Sequence, residues 1–371
     1  MAEPLVKQFG AGVVKDIGAM IAAAGKFDAH AFAVTALDGF EPLNLMQRAV
    51  KIADALHQHL PDDYTQAIKL LLSSLGPPLK TTEGEGMMPF LYLPHTLFVA
   101  RYGLEHFDVS MEAQYRLTQR FTAEFSIRPF IERYPKRTVA LLKRWTRDSN
   151  VHVRRLVSEG TRPRLPWASR LREFQKDPTP VLALLELLKD DPELYVRRSV
   201  ANNLNDIGKD HPEVLVDTAR RWLKGADDNR KWIVKHALRS AVKRAEPKAL
   251  AVLGYGGKTP VQVSDIRIAP KRLRIGERIT IGFALANRTG KPQRVLVDFR
   301  IHFVKANGSG KPKVFKLKQL TLQPNEPVSL SKAVALHEMT TRKHYPGKHH
   351  VDVVINGVTQ PLGTFVLRTA T

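Results

Sequence analysis

A carboxylate lies between two arginines in the segment VRRLVSEGTR, and an indole follows it. In a helix, Arg155, Glu159 and Arg162 would share one face, because they are spaced by four and then three residues. Trp167 follows in the loop RPRLPWA, where Pro163 is expected to stop the helix. Two arginines can bind phosphates on either side of a carboxylate that faces a sugar. These residue types at this spacing therefore suit a cleft that faces DNA.

A related set follows in the segment VRRSVANNLND, whose VRR motif begins 43 residues after the first. Arg198, Asn202, Asn205 and Asp206 are spaced i, i+4, i+7 and i+8, which predicts that they share one helix face. Asn202 takes the place that the glutamate holds in the first segment, and Asp206 lies one turn further along. The sequence thus predicts polar side chains at comparable positions of two helices.

A third carboxylate is predicted on a helix upstream of these two. Arg120 and Glu124 are four residues apart, and EFSIRP parallels EGTRP 35 residues later. Three acids directed at one polyanion would be repulsive unless they had a cationic target. This argues for a chemical role of Glu124, Glu159 and Asp206.

The elements that must position these side chains are paired helices. Up to about residue 255, apolar residues recur every three or four positions. The segments DSNVHVRR, DPELYVRR and DNRKWIVK, each preceded by another predicted helix, recur at roughly 40 residues. This predicts an α-helical HEAT-like-repeat solenoid over residues 1–255. In such repeats an Asp-to-Val-Arg pattern often forms a ladder between units, and Arg154 and Arg197 are assigned to that packing. The acids could belong to such packing too, and a protein-binding scaffold stays an alternative.

The period changes to two from residue 258 onward. Segments such as RITIGFALAN and QRVLVDFRIHFV alternate, and the pair Asn356-Gly357 predicts a two-residue hairpin. Six or seven such strands predict an all-β immunoglobulin-like sandwich at residues 258–371. The segment from Gly254 to Lys258 is the predicted linker.

Composition narrows the class of partner. The chain has 58 Lys and Arg against 36 Asp and Glu, a net charge of +22, and residues 258–371 hold 20 of these cations against 6 acids. Such an imbalance favours a polyanion: nucleic acid, an acidic membrane surface or an acidic protein. No apolar run reaches a membrane span, and no signal peptide is predicted at the start of the chain. We therefore expect no membrane partner and a cytoplasmic, bacterial-type protein that associates with the nucleoid through DNA.

Several chemistries are excluded or disfavoured by residues that the chain lacks. Without cysteine there can be no disulfide, thiolate zinc site, iron–sulfur cluster or cysteine nucleophile. The 13 histidines include KHYPGKHH but no H-E-x-x-H spacing, so no metal site is expected. No Walker A, Rossmann or G-x-S-x-G motif occurs, which argues against nucleotide hydrolysis, dehydrogenase and serine-hydrolase functions.

The segments NVHVRRLVSEGTRPRLPWA and DPELYVRRSVANNLNDIGKDHP resemble the AlkC branch of the AlkC/AlkD superfamily of HEAT-like-repeat DNA glycosylases. The resemblance covers the whole helical part, and some members of that branch carry an immunoglobulin-like C-terminal domain. It implies hydrolysis of the N-glycosidic bond of bases with small cationic alkyl lesions, such as 3-methyladenine and 3-methylcytosine. It also implies that the base is not flipped into a pocket, unlike in most enzymes that act on bases.

The resemblance assigns roles to the residues above. Glu124, Glu159, Asp206 and Trp167 match the active-site positions of the family, and Arg155 and Arg162 are expected to contact the DNA backbone. Arg198 and Arg120, on the equivalent predicted helix faces, complete the expected DNA-binding set.

The chemistry agrees with these roles. A cationic alkylated base departs as a neutral molecule, so positive charge develops on the deoxyribose. Carboxylates can stabilise that charge and orient water, with Asp206 or Glu159 as the water-positioning base, while an indole adds a cation–π contact. This reaction needs no metal or cofactor.

The sequence therefore predicts a monomeric DNA glycosylase that acts on double-stranded DNA containing alkylated bases, in base excision repair. Two alternatives stay open. One is a non-enzymatic DNA- or RNA-binding HEAT-repeat protein, and the other is a scaffold for an acidic protein partner.

Overall fold

A computed structural model describes residues 5–83, 88–256, 260–338 and 343–369. The chain forms two compact units, which are treated separately below: Met1–Leu215 with Trp222–Ala237, here called the helical unit, and Val216–Arg221 with Leu238–Thr371, here called the sandwich unit. The second part of the sandwich unit begins at Leu238 and so includes the short helices that precede the predicted linker. Gly257 and Lys258 of that linker lie outside the described residues, and domain boundaries at 255 and 258 stay a prediction.

Helices make up the described part of the chain as far as Val252. In chain order they are α1 (Leu5–Gln8), α2 (Ala11–Ala24), α3 (Ala29–Leu37), α4 (Leu45–His59), α5 (Tyr64–Ser73), a 3-10 turn (Met88–Tyr92), α6 (Leu93–Tyr102), α7 (Phe107–Thr118), α8 (Arg128–Arg133), α9 (Pro135–Trp145), α10 (Val151–Gly160), α11 (Arg172–Lys176), α12 (Thr179–Leu188), α13 (Leu194–Asp210), α14 (Pro212–Leu223), α15 (Asp228–Ala237), α16 (Arg239–Lys243) and α17 (Pro247–Val252).

The ends of α10 are set by side chains. Asn150 caps its start, because the amide oxygen accepts hydrogen bonds from the backbone N–H groups of His152 and Val153. The helix ends at Gly160, where a Cβ atom would come within 2.6 Å of the side chain of Ile127. The end at Gly160 lies two residues before Arg162, whereas the helix was predicted to stop at Pro163. Arg162 therefore lies in the loop that follows α10.

The repeat packing matches the prediction. Helix α10 packs against α13, and α13 packs against α15. Arg154 of α10 binds the carboxylate of Asp191 through Nε (2.7 Å) and Nη2 (3.2 Å), and Arg197 donates to the backbone carbonyls of Asp191 and Pro192. This confirms that Arg154 joins neighbouring repeats, whereas Arg197 binds the loop that leads into its own helix.

Strands make up most of the remaining chain. They are β1 (Val261–Ala269), β2 (Arg272–Arg274), β3 (Arg278–Asn287), β4 (Gln293–Val304), β5 (Gly310–Leu322), β6 (Pro327–Ala335), β7 (Gly347–Ile355) and β8 (Val358–Arg368). The described residues thus form eight strands, more than the six or seven predicted, because the short β2 was not recognised.

The strands form two sheets that share one core. One sheet has the order β1-β3-β6, and the other has the order β2-β8-β7-β4-β5, in which only the β2–β8 pair is parallel. Phe283 from the first sheet and Phe299, Val353 and Phe365 from the second are buried in the common core. The predicted hairpin is confirmed: Asn356 and Gly357 both have positive φ, and Ile355 pairs with Val358 across them.

No helix in the part of the chain described above is both long and apolar enough to cross a membrane.

Candidate active site

Glu124, Arg155 and Glu159 form the first half of a continuous series of ion pairs in the helical unit, here called the charged cluster. Nη1 of Arg155 lies 2.6 Å from Oε2 of Glu124, and Nη2 of Arg155 lies 3.6 Å from Oε1 of Glu159. The guanidinium of Arg155 also lies over the ring of Tyr195, 5.1 Å from its centroid. One arginine thereby joins two of the predicted acids.

Arg162, Asp206 and Lys209 complete the charged cluster. Nη1 of Arg162 lies 2.6 Å from Oε1 of Glu159, and its Nε lies 2.8 Å from Oδ2 of Asp206. Nζ of Lys209 lies 2.7 Å from Oδ1 of Asp206. The three predicted carboxylates therefore converge, and a cation separates each from the next.

The cluster is largely withdrawn from solvent. Glu124, Glu159 and Asp206 retain 9%, 5% and 1% of their accessible surface. Three acids alternate with three cations, so repulsion between the carboxylates is offset within the protein. The three acids therefore do not require a cationic target in order to converge, contrary to the prediction, because their arginine and lysine partners already offset the repulsion between them.

Glu159 is held in its ionised form. Burial alone would raise the pKa of its carboxyl group, but the charges of Arg155 and Arg162, together with a hydrogen bond from Ser199, outweigh burial and lower that pKa below its ordinary value. In the same way, burial would lower the pKa of Arg155, whereas Glu124 and Glu159 raise it. A carboxylate that stays negative at neutral pH can stabilise positive charge on a substrate.

Two hydroxyl groups support the carboxylates. Oγ1 of Thr122 donates to Oε2 of Glu124 (2.8 Å) and accepts from Nη1 of Arg155 (2.8 Å). Oγ of Ser199 donates to Oε2 of Glu159 over 2.6 Å. Neither hydroxyl was identified from the sequence, because Thr122 lies in the loop between α7 and α8 and Ser199 belongs to the following repeat. Lys209 was not identified either, although its i+3 spacing from Asp206 could have indicated the pair.

A cavity of about 510 Å³ opens beside the charged cluster. Glu124, Arg155, Glu159, Arg162 and Trp167 all line it, whereas Asp206 lies behind them. Aromatic rings complete much of the wall; they belong to Phe90, Phe121, Phe125, His152 and Tyr195. The cavity therefore places two carboxyl groups beside apolar surface on which a sugar or a base could pack.

Trp167 is exposed at the edge of this cavity, in the loop where the sequence placed it. Its side chain retains 73% of its accessible surface, and its φ is +64°. A positive φ is costly for a residue with a large side chain, so the surrounding loop must hold it there.

Arg128 holds that loop, and the sequence analysis did not single it out. Its Nη1 donates to the carbonyls of Gly160 (3.0 Å) and Arg162 (2.9 Å), and its Nη2 donates to the carbonyl of Ser169. Burial lowers the pKa of Arg128 to about 10. The parallel between SIRP and GTRP, which was noted for its acids, could have indicated this arginine as well.

Arg120 and Glu124 do not lie on a helix, contrary to the prediction. Helix α7 ends at Thr118, and both residues lie in the turn that precedes α8. Arg120 is buried and donates to the backbone carbonyls of Gly76 and Arg116. Its guanidinium therefore ties α7 to the loop that follows α5 and is not placed to bind a phosphate.

The predicted face of α13 is also corrected. Arg198 is exposed and lies away from the charged cluster, whereas Ser199, Asn203 and Asp206 contact the end of α10. A helix turns by about 100° per residue, so Ser199 lies only about 20° from Asp206 around the axis, while Arg198 lies about 80° away.

Comparisons with known proteins cover both units. Residues 262–369 match the family model described as the C-terminal Ig-like domain of the uncharacterised protein YhaZ. YhaZ of Bacillus subtilis (strain 168) is 39% identical over 321 residues, which are 86% of this chain and 87% of that protein. The structure of Pseudomonas fluorescens alkylpurine DNA glycosylase AlkC, bound to DNA that contains an abasic site analog, is 39% identical, with a TM-score of 0.91. That similarity covers 99% of this chain and 100% of the other.

Proposed function

The chain belongs to the AlkC family of HEAT-like-repeat DNA glycosylases, and we propose that it hydrolyses the N-glycosidic bond of cationic alkylated bases in double-stranded DNA. The observation that carries this proposal is the charged cluster: three buried carboxylates converge beside a cavity with an exposed tryptophan at its edge. They do so in a chain similar over its whole length to a DNA-bound alkylpurine glycosylase.

The proposed reaction needs negative charge near the sugar. An alkylated base already carries positive charge and leaves as a neutral molecule, so charge develops at C1′ of the deoxyribose as the bond breaks. Glu124 and Glu159 line the cavity, and the low pKa of Glu159 keeps that carboxylate ionised. Fixed carboxylates stabilise the transition state without having to reorganise during the reaction.

The two oxygens of each acid are engaged to different degrees. Asp206 is bound on both oxygens, by Arg162 and Lys209. In the described part of the chain, Oε2 of Glu124 accepts from Thr122 and Arg155, while Oε1 has no donor. We therefore assign Glu124 to direct contact with the sugar or water. Of the two candidates for the base that positions the water, Glu159 lines the cavity and Asp206 lies behind it, so we assign that base to Glu159 and the support of Arg162 to Asp206.

Arg155 and Arg162 were expected to contact the DNA backbone, but they bind carboxylates of the charged cluster. Their guanidinium groups are committed to carboxylates, and both side chains are mostly buried. We propose that they hold the acids in place, and that any contact with the DNA backbone uses the N–H groups left over. Trp167 supplies an exposed indole face for the sugar, which adds a cation–π contact as charge develops.

The sandwich unit supplies positive charge for the DNA backbone. A cavity of about 850 Å³ in this unit is lined by six cations and by no acid. They are Lys243, Arg244, Arg300, Lys305, Lys313 and Lys343. Such a concave basic surface suits phosphates, and its contribution to binding should fall steeply with salt.

The finer properties of the activity remain proposals from the family resemblance. They are a preference for lesions of the 3-methyladenine and 3-methylcytosine type, excision without base flipping, a monomeric state, and a cytoplasmic location with association with the nucleoid.

The experiment that tests the proposed function is base-release analysis. Methylated duplex DNA is incubated with the full chain, and free bases and abasic sites are quantified by chromatography and by strand cleavage at abasic sites. We expect release of alkylated bases and no release from undamaged duplex. Binding without release would instead support the non-enzymatic alternative.

A further inference from the structure

A pair of serine hydroxyls lies behind Glu159, on the side away from the cavity. Oγ of Ser158 donates to Oγ of Ser199 over 2.6 Å, and Oγ of Ser199 donates to Oε2 of Glu159 over 2.6 Å. Both serines are buried, and neither lines the cavity. The two hydroxyls therefore form a short chain of hydrogen bonds that ends on a carboxylate of the active site.

The chain of hydrogen bonds crosses from one repeat to the next. Ser158 and Glu159 belong to α10, whereas Ser199 belongs to α13. Nearby, Nδ2 of Asn203 donates to the backbone carbonyl of Ser158 (2.7 Å) and to Oγ1 of Thr161 (3.1 Å). These polar contacts fix the position of one helix along the other at the point where the glutamate leaves the interface.

Much of the surrounding interface is apolar. Val153, Leu156, Val157, Val200 and Leu204 are fully buried between or beside the same helices. Buried hydroxyl groups in such surroundings are costly unless they are hydrogen-bonded. Ser199 satisfies this requirement by accepting from Ser158 and donating to Glu159, so its single proton has a defined direction.

Ser199 thereby controls the carboxylate of Glu159. Oε1 of that carboxylate lies 2.6 Å from Nη1 of Arg162 and 3.6 Å from Nη2 of Arg155, while Oε2 has Ser199. Without the hydroxyl, Oε2 would lose its donor, and the carboxylate could rotate toward the arginines.

We infer that Ser199 is a positioning residue of the glycosylase: it fixes the orientation of the Glu159 carboxylate beside the cavity, and Ser158 fixes the direction of its hydrogen bond. The inference rests on the proposed function. Because Ser199 acts through Glu159 and does not touch the cavity, it governs the rate of bond cleavage rather than the binding of DNA.

Three variants at this position separate hydrogen bonding from packing. Ser199→Ala removes the hydroxyl, Ser199→Cys keeps most of the volume but is a weak donor, and Ser199→Thr keeps the hydroxyl. Single-turnover base release from methylated duplex should slow by about 10- to 100-fold in the first two, since hydrogen bonds to charged groups have strengths of that order. The threonine variant should stay within about threefold of the wild type, and the Kd for duplex should be unchanged in all three.

The pH dependence supplies a readout that packing would not move. Losing the donor should raise the pKa of Glu159, so the acid-side fall in rate should shift to higher pH in Ser199→Ala. The same shift is measured without turnover by 13C NMR of protein labelled at its glutamate carboxyls, with Glu159→Gln used to assign the signal.

Ser110→Ala serves as the matched control. Ser110 is also a buried serine with two hydrogen-bond contacts, to the carbonyl of Gly103 and the hydroxyl of Tyr64, but it lies outside the charged cluster. This variant should lose stability without a change in the rate of base release or in its pH profile.

The outcomes separate the inference from the function on which it rests. If the wild type releases base but Ser199→Ala matches it in rate and in the pKa of Glu159, the positioning role is overturned. A wild type that releases no base overturns the proposed function, and with it the positioning role, whatever the NMR titration gives.

Discussion

The charged cluster and the basic cavity of the sandwich unit use charge in opposite ways. In the cluster, three acids and three cations alternate at distances of 2.6 to 3.6 Å and are largely buried. In the sandwich unit, six cations line an open cavity with no acid among them. The energy of a close, buried ion pair depends on its geometry and is little screened by salt. The attraction of exposed cations for a polyanion depends on their total charge and is strongly screened. Single substitutions should therefore be decisive in the first region and graded in the second.

The largest effect is expected from removing one negative charge of the cluster. Glu159→Gln and Asp206→Asn should each slow single-turnover base release by about 100-fold or more, since fixed charges near a developing charge have effects of that size. Binding to undamaged duplex should change much less, because neither acid attracts phosphate. Both quantities can be measured on the same protein, by base release and by fluorescence anisotropy.

Glu173→Gln is the matched control for these two variants. Glu173 is an exposed acid, and among the described residues its side chain pairs with Lys176 on the surface of α11. Its loss should leave base release unchanged. If both cluster variants also retained the wild-type rate, the catalytic roles of Glu159 and Asp206 would be wrong.

The next largest effect should be on DNA binding through the sandwich unit. Replacing Lys305, Lys313 and Lys343 by Gln should weaken binding to duplex by about tenfold or more and should reduce the slope of log K against log salt by up to about 2.7. The rate at saturating enzyme should stay close to that of the wild type.

A second triple variant tests whether position matters for this effect. Lys15, Lys69 and Lys136 are exposed lysines of the helical unit, and replacing them by Gln changes the net charge equally. A smaller change in slope would assign phosphate contacts to the basic cavity. An equal change would show that only total charge matters.

Trp167 should have an intermediate effect on the rate. Trp167→Ala should slow base release by about 3- to 30-fold, as expected for a lost cation–π contact, and Trp167→Phe should recover part of it. Because the side chain is mostly exposed, the free energy of unfolding should change by less than about 0.5 kcal/mol. A large loss of stability in urea unfolding would instead show that the indole supports its loop.

The smallest effect concerns stability and pH. The pKa of Glu159 is lower in the folded protein than in the unfolded chain, so its ionisation stabilises the fold above the ordinary glutamate pKa. This contribution is lost as pH falls through the lowered value. The difference in free energy of unfolding between wild type and Glu159→Gln should therefore shrink as the pH is lowered from 7 to below the ordinary glutamate pKa. A difference that is independent of pH would contradict the low pKa.

Local sequence patterns were enough to predict most of the helices and strands. Three- and four-residue periodicity indicated the paired helices, period two indicated the strands, and Asn356-Gly357 indicated a hairpin whose two residues both adopt positive φ. The repeat motif also assigned Arg154 to packing between repeats. Each of these features depends on residues that are close in the sequence or repeated along it.

Spacing alone misassigned some side chains within the site. Glu124 and Arg120 were placed on a helix, but α7 ends before them, because EFSIRP resembles EGTRP without sharing its helix. Arg198 was placed beside Asp206, although Ser199 is the neighbour that faces α10. Sequence spacing states which residues share a helix face within broad limits, and it does not state which face meets the next helix.

The amino-acid sequence by itself determined the two classes of structure, the excess of positive charge and the family resemblance, since these follow from composition and short-range order. Only the tertiary structure decided that Arg155 reaches Glu124, that Arg162 reaches Asp206, that Arg128 holds the loop of Trp167, and that a serine of the next repeat binds Glu159. The partners in these contacts lie between 31 and 44 residues apart. Whether these residues come into contact depends on how the helices stack, and the stacking is determined by the packing of whole helix faces.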